Sequence, residues 1–160
     1  MKDMKLSHLD ESGRPQMVDV SHKAATLRTA RARAELVVPD SLTALLHHNE
    51  IQTPKGPVFQ TAILAGTMAA KNTSALIPLA HPLPLNHVHI DIRAEQNRIF
   101  IETQVSVHGR TGVEMEALTA AAIAALTIYD MCKAVSHEIV IRDIRLLEKT
   151  GGKSNYTAQP

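Results

Sequence analysis

The chain has 160 residues, 44% of them apolar, and a formal charge of +1 at pH 7. This suits one globular domain with a real core and excludes a disordered or membrane-embedded composition. Near-neutral charge, 2% aromatic residues and no Trp argue against a dedicated nucleic-acid binder, which shows a clustered basic excess or stacking rings. With so few rings, the core must be built from Ala, Leu, Ile, Val and Met, and part of that apolar surface is expected to lie between subunits. A single cysteine, Cys132, excludes an intrachain disulfide and fits a reducing compartment. The polar start has no apolar h-region, and no run reaches the ~18 apolar residues of a bilayer span, so a cytoplasmic protein without membrane or nucleic-acid partners is expected.

Residues 1–16 read as a flexible arm closed by Gly13 and Pro15, residues 17–150 as one catalytic domain, and 151–160 as a flexible tail. "ARAELVVP", Ala32 to Pro39, has the β-branched run of a strand ended by proline. "DSLTALLHHNEI" (40–51) reads as a helix capped by Asp40 or Ser41, broken by "TPKGP". A second helical stretch covers 58–76. In "IPLAHPLPL" (77–85) three prolines forbid helix and predict a rigid extended loop. "HVHIDIRAE" and "RIFIETQVSV" alternate apolar and polar around "QN", a hairpin signal. "HGRTG" leads into a long helix from about Val113 to Val135, and "EIVIRDIRLLEKT" (138–150) reads as a last strand. Strand, helices, strand, strand, helix, strand is the split βαβ order of a ferredoxin-like α+β sandwich, an antiparallel sheet with helices on one face. The other sheet face is expected to serve as an oligomer interface.

Several residues carry candidate chemistry. Glu114 and Glu116 open the long helix, where carboxylates favour the positive end of the dipole; their angular separation lets at most one face the core. Asp130 and Lys133 form an i,i+3 pair, either a surface ion pair or, among the apolar neighbours of "LTIYDMCKA", a proton-transfer pair with shifted pKa values. His81 sits in the proline-pinned loop, as a surface turn residue or as an acid/base group or phosphate donor. His87, His89 and Asp91 share one strand face; without a second ligand cluster they read as a solvated or interface strand, and no metal site is expected. "GGKS" lacks the leading glycine of a P-loop, since Leu147 stands there, yet Lys149 and Lys153 on a glycine-rich loop suit an anion. Lys55 and Lys71 are scattered cations that spacing alone cannot place.

"MVDVS", "IPLAHPL", "TGVEMEALTAA", "LTIYDMCKAV" and "KTGGKS" together resemble the MoaC family, the cyclic pyranopterin monophosphate synthases, from about Met17 to Ser154. The resemblance implies conversion of 3′,8-cyclo-7,8-dihydro-GTP, made from GTP by a radical-SAM cyclase, to cyclic pyranopterin monophosphate with loss of pyrophosphate. It also implies a ferredoxin-like fold and a homohexamer, a trimer of dimers, with active sites at dimer interfaces. Asp130 and Lys133 correspond to the catalytic pair, and Leu79, Ala80, His81, Met115 and Glu116 to the substrate-binding segments. Glu114, Lys55, Lys71, Lys149 and Lys153 form the supporting polar set, the lysines facing the triphosphate. No cofactor is expected, though Mg2+ carried by the substrate phosphates is compatible with the site. Ala80 stands where many members have cysteine, and Arg110 where lysine is commoner.

Overall fold

The computed structural model describes residues 8–10 and 12–159, so the expected arm lies partly outside the described residues. In chain order the elements are β1 (Thr26–Val37), α1 (Asp40–Thr43), β2 (Leu46–His47), β3 (Glu50–Thr53), β4 (Gly56–Pro57), α2 (Val58–Lys71), α3 (Thr73–Leu76), β5 (His87–Glu95), β6 (Arg98–Gly109), α4 (Glu114–Cys132), β7 (Val140–Thr150) and β8 (Tyr156–Thr157). The main sheet runs β5-β6-β1-β7-β8 and every pairing in it is antiparallel. Removing the short β8 leaves the expected ferredoxin-like order, with α2 and α4 packed on one face.

Three sequence expectations are corrected. β1 begins at Thr26, six residues before Ala32, because its inward positions Ala30, Ala32 and Ala34 carry no strand-forming signal of their own. The expected helix over 40–51 is a single turn followed by a hairpin. His48 and Asn49 both have left-handed φ (50° and 56°), which a right-handed helix cannot hold but a two-residue hairpin turn requires. Residues 156–157 of the expected tail instead pair with Glu148 and Lys149 as a fifth strand of the main sheet.

Alanine sets how closely the layers meet. Ala117, Ala120, Ala121, Ala124, Ala125 and Ile128 make the inner stripe of α4, all fully buried. Gly66 of α2 lies where an added Cβ would stand 2.6 Å from Ile90 Cδ1 and 2.9 Å from the Ala120 carbonyl, so the two helices approach backbone to backbone. By length and composition α4 could cross a bilayer; it lies instead against α2, β1, β6 and β7.

The open sheet face carries a cluster of charged side chains around Glu102. Glu102 accepts from Arg33 (2.6 Å), Arg31 (3.2 Å) and Arg93 (3.3 Å). Arg33 foremost holds its carboxyl below the usual range. The Arg33 and Arg93 guanidiniums both lie over the Phe100 ring, 5.4 and 5.2 Å from its centre. Exposed apolar side chains lie on the helices, with Leu64 and Met68 on α2 and Leu126 on α4, and also on the strands, with Leu27 on β1 and Val140 and Ile144 on β7.

Candidate active site

A cavity of about 770 Å³ opens at the N-terminal end of α4. Its walls come from the coil before β1, the start of β1, the proline-pinned loop, the β6–α4 turn and the end of β7. Eight of the singled-out residues converge on it: Leu79, Ala80, His81, Glu114, Met115, Glu116, Lys149 and Lys153. The same walls carry Lys23, Arg28 and Thr111, which the sequence does not single out, and Arg110, notable there only as a departure from the family. One side is cationic, with Arg28, Arg110, Lys149 and Lys153; another is apolar, with Val18, Val20, Ile77, Leu79 and Leu83.

Local geometry fixes the polar groups. His81 Nε2 lies 2.8 Å from the Val18 carbonyl. A carbonyl only accepts, so Nε2 carries the proton and Nδ1 is the nitrogen left for a ligand in the neutral ring. Lys149 Nζ pairs with Glu114 at 3.0 Å. Glu116 is buried and Glu114 is not, so one of the two faces inward, as their spacing requires. Burial pushes the Glu116 carboxyl up, with a smaller push from the Glu114 charge. Its folded pKa lies above the unfolded one, so the folded state loses stability as pH rises through that window. Glu116→Gln is therefore expected to raise Tm at pH 7, by roughly 1 kcal/mol of stability, with the gain vanishing towards about pH 4. Thermal melts at both pH values check this, and an unchanged or lowered Tm at pH 7 contradicts it.

The glycine-rich turn is shaped by backbone contact. Gly151 has φ 82°, and a Cβ there would lie 1.8 Å from the Leu27 carbonyl. No side chain fits without moving the segment between Lys149 and Lys153. Gly151→Ala is expected to weaken binding of inorganic triphosphate about tenfold while helix and sheet content persist. Calorimetric titration measures this, and affinity within about twofold of the unsubstituted protein would contradict it.

Asp130 and Lys133 lie elsewhere, at the far end of α4. Glu116 and Asp130 lie fourteen positions apart on that helix, about 21 Å along its axis. Lys133 Nζ donates to Asp130 Oδ1 at 2.7 Å, and Lys55 Nζ donates to Oδ2 and to the Asp130 carbonyl, both at 3.0 Å. The expected apolar surroundings are absent in the single chain, where the Asp130 side chain is 55% exposed. Ile128, Met131 and Cys132 take the inward positions of the last turns. The shifts follow the ion pairs: Lys133 and then Lys55 hold the Asp130 carboxyl below its usual range, and Asp130 raises Lys133. Both groups stay charged at neutral pH. Lys71 ends α2, exposed, and belongs to neither cluster. His87 and His89 stack at 6.3 Å on β5, and among the described residues no His, Cys, Asp and Glu cluster could hold a metal ion.

Fold and cavity define an α+β protein of the split βαβ type with a cation-walled cavity suited to a small anionic molecule. The chain belongs to the MoaC family, whose model matches residues 17–152. Over 159 residues it is 46% identical to a protein of Synechocystis sp. named "Molybdenum cofactor biosynthesis bifunctional protein". The match covers 96% of this chain and 46% of that protein, so the chain spans about half the length of this curated relative.

Proposed function

We propose that the chain acts in molybdenum cofactor biosynthesis and converts 3′,8-cyclo-7,8-dihydro-GTP to cyclic pyranopterin monophosphate, releasing pyrophosphate. The two-sided cavity carries this reading. Arg28, Arg110, Lys149 and Lys153 suit the triphosphate, and the apolar side with His81 and Glu116 suits a fused heterocycle. A ribose hydroxyl attacks the α-phosphorus, the bond to the β-phosphate oxygen breaks, and pyrophosphate leaves with its charge held by the cationic wall. Ring opening and pterin closure move protons on and off nitrogen and carbon, work for His81, Glu116, Asp130 and Lys133.

The distance of about 21 Å from Glu116 to Asp130 fits a homohexamer in which a second subunit brings its Lys55–Asp130–Lys133 cluster to the first subunit's cavity. The exposed Leu64, Met68 and Leu126 suit burial in such a contact. A radical-SAM cyclase acting on GTP is the upstream partner, and Mg2+ travels on the substrate phosphates where present.

Incubation of the purified protein with 3′,8-cyclo-7,8-dihydro-GTP, followed by mass spectrometry of the pterin and assay of pyrophosphate, tests this. Equal amounts of both products are expected, with Ala80 in place of cysteine. Tight binding without turnover would overturn the synthase reading in favour of a nucleotide- or pterin-binding sensor.

A further inference from the structure

The acid beside the Lys55 hairpin has no part in the chemistry above, yet it makes the densest set of backbone contacts of any side chain among the described residues. Glu50 Oε1 accepts from the Ile51 and Phe59 amides at 2.8 Å each, and Oε2 accepts from Gln60 at 3.1 Å. α2 begins after Pro57 with no side-chain cap from its own N-cap residue. Phe59 and Gln60 lie in its first turn, where amides have no helical partner and a carboxylate is favoured by the dipole. Glu50 is thus a cap supplied from upstream, across the hairpin, and it closes a loop with Lys55 at its middle.

Inside that loop hydrogen bonds hold both the backbone and the side chain of Lys55. Thr53 Oγ1 accepts from the Lys55 amide and donates to the Gly56 carbonyl, both at 3.2 Å, and Gly56 turns the chain at φ 112°. At the tip, Lys55 Nζ reaches both the Asp130 carboxylate and the Asp130 carbonyl. The second bond satisfies a carbonyl in the last turn of α4, a turn with no basic residue of its own. The chain of contacts therefore runs from the start of α2 through Glu50 and the hairpin to the end of α4. Cys132, buried in that last turn, feels the Glu50 charge: its thiol is pushed up to about 11, by burial first and by Glu50 second.

We infer that Glu50 is a positioning residue, whose carboxylate clamps the β3–β4 hairpin onto the first turn of α2 and so fixes Lys55 on Asp130. The inference rests on the catalytic reading of the Lys55–Asp130–Lys133 cluster. The geometric part stands without it.

The test is a double-mutant cycle in the full chain with Glu50→Ala, Lys55→Met and both together, read by turnover and by 13C NMR titration of the Asp130 carboxyl. Glu50→Ala is expected to cut kcat about tenfold, and the double variant should be no slower than Lys55→Met alone. The Asp130 pKa should rise in Glu50→Ala as it does in Lys55→Met, since both remove the same cation. A merely structural cap predicts losses that multiply and an unmoved Asp130 titration, and that result overturns the inference. A moved titration with unchanged turnover upholds the clamp and shows that the Lys55–Asp130 contact is not required for turnover. Should Glu50→Ala not fold, Glu50→Gln keeps a neutral acceptor for Ile51 and Phe59. It is then expected to give a smaller rise in the Asp130 pKa, and no rise overturns the inference.

Discussion

Asp130→Asn is expected to lower turnover of 3′,8-cyclo-7,8-dihydro-GTP by about 10²–10⁴-fold, the range over which a positioned acid or base acts. The amide is nearly isosteric and the side chain is exposed, so fold and Tm should change little. What is lost is charge. Asp130 accepts from Lys133 at 2.7 Å and from Lys55 at 3.0 Å, and an amide cannot hold two ammonium groups in that way. Substrate binding should persist, because the cavity at the other end of α4 is untouched in that subunit. The folded carboxyl titrates below its unfolded value, so it is ionised throughout the neutral range and its pairing is lost only as pH falls through the lowered pKa. The acid limb of the wild-type rate profile should accordingly lie below the ordinary Asp range. Single-turnover assays with mass-spectrometric detection decide the matter, and a variant within about tenfold of wild type removes Asp130 from the chemistry.

How far the sequence speaks depends on whether the information is local. The β5–β6 hairpin is legible because alternation and a two-residue turn sit together in one window; Gln96 indeed takes the left-handed conformation there, at φ 53°. The β2–β3 hairpin is not. Leu42, Leu45 and Leu46 in "LTALL" stand at helical spacing, and the "HN" reversal is a weak turn signal beside a good N-cap. The site divides in the same way. Leu79 to His81, Glu114 to Glu116 and Asp130 to Lys133 are short motifs readable in place. Arg28 is not, since only the pairing of β1 with β6 and β7, strands distant in the chain, brings it to the cavity, and Lys23 in the coil before β1 carries no local signal either. Glu50 escapes notice for a related reason: a cap is sought next to its helix, and this one acts across a hairpin.

Mixing two inactive variants should restore activity if the site is shared. His81→Ala removes a group from the cavity, and Asp130→Asn removes one from the far end of α4, so each homogeneous oligomer has every site defective. In a dimer that holds one subunit of each kind, one of its two composite sites collects both defects and the other collects neither. Random reassembly of equal amounts makes half the dimers mixed, so about a quarter of wild-type activity is expected. A site complete within one chain allows no such rescue, because every chain in the mixture still carries a lesion. The separation of about 21 Å along the helix between Glu116 and Asp130 is what distinguishes these outcomes. The mixture must be unfolded and refolded together, or co-expressed, so that subunits exchange. Recovery near a quarter establishes the composite site, whereas activity at the level of the separate variants excludes a site that draws His81 and Asp130 from different subunits.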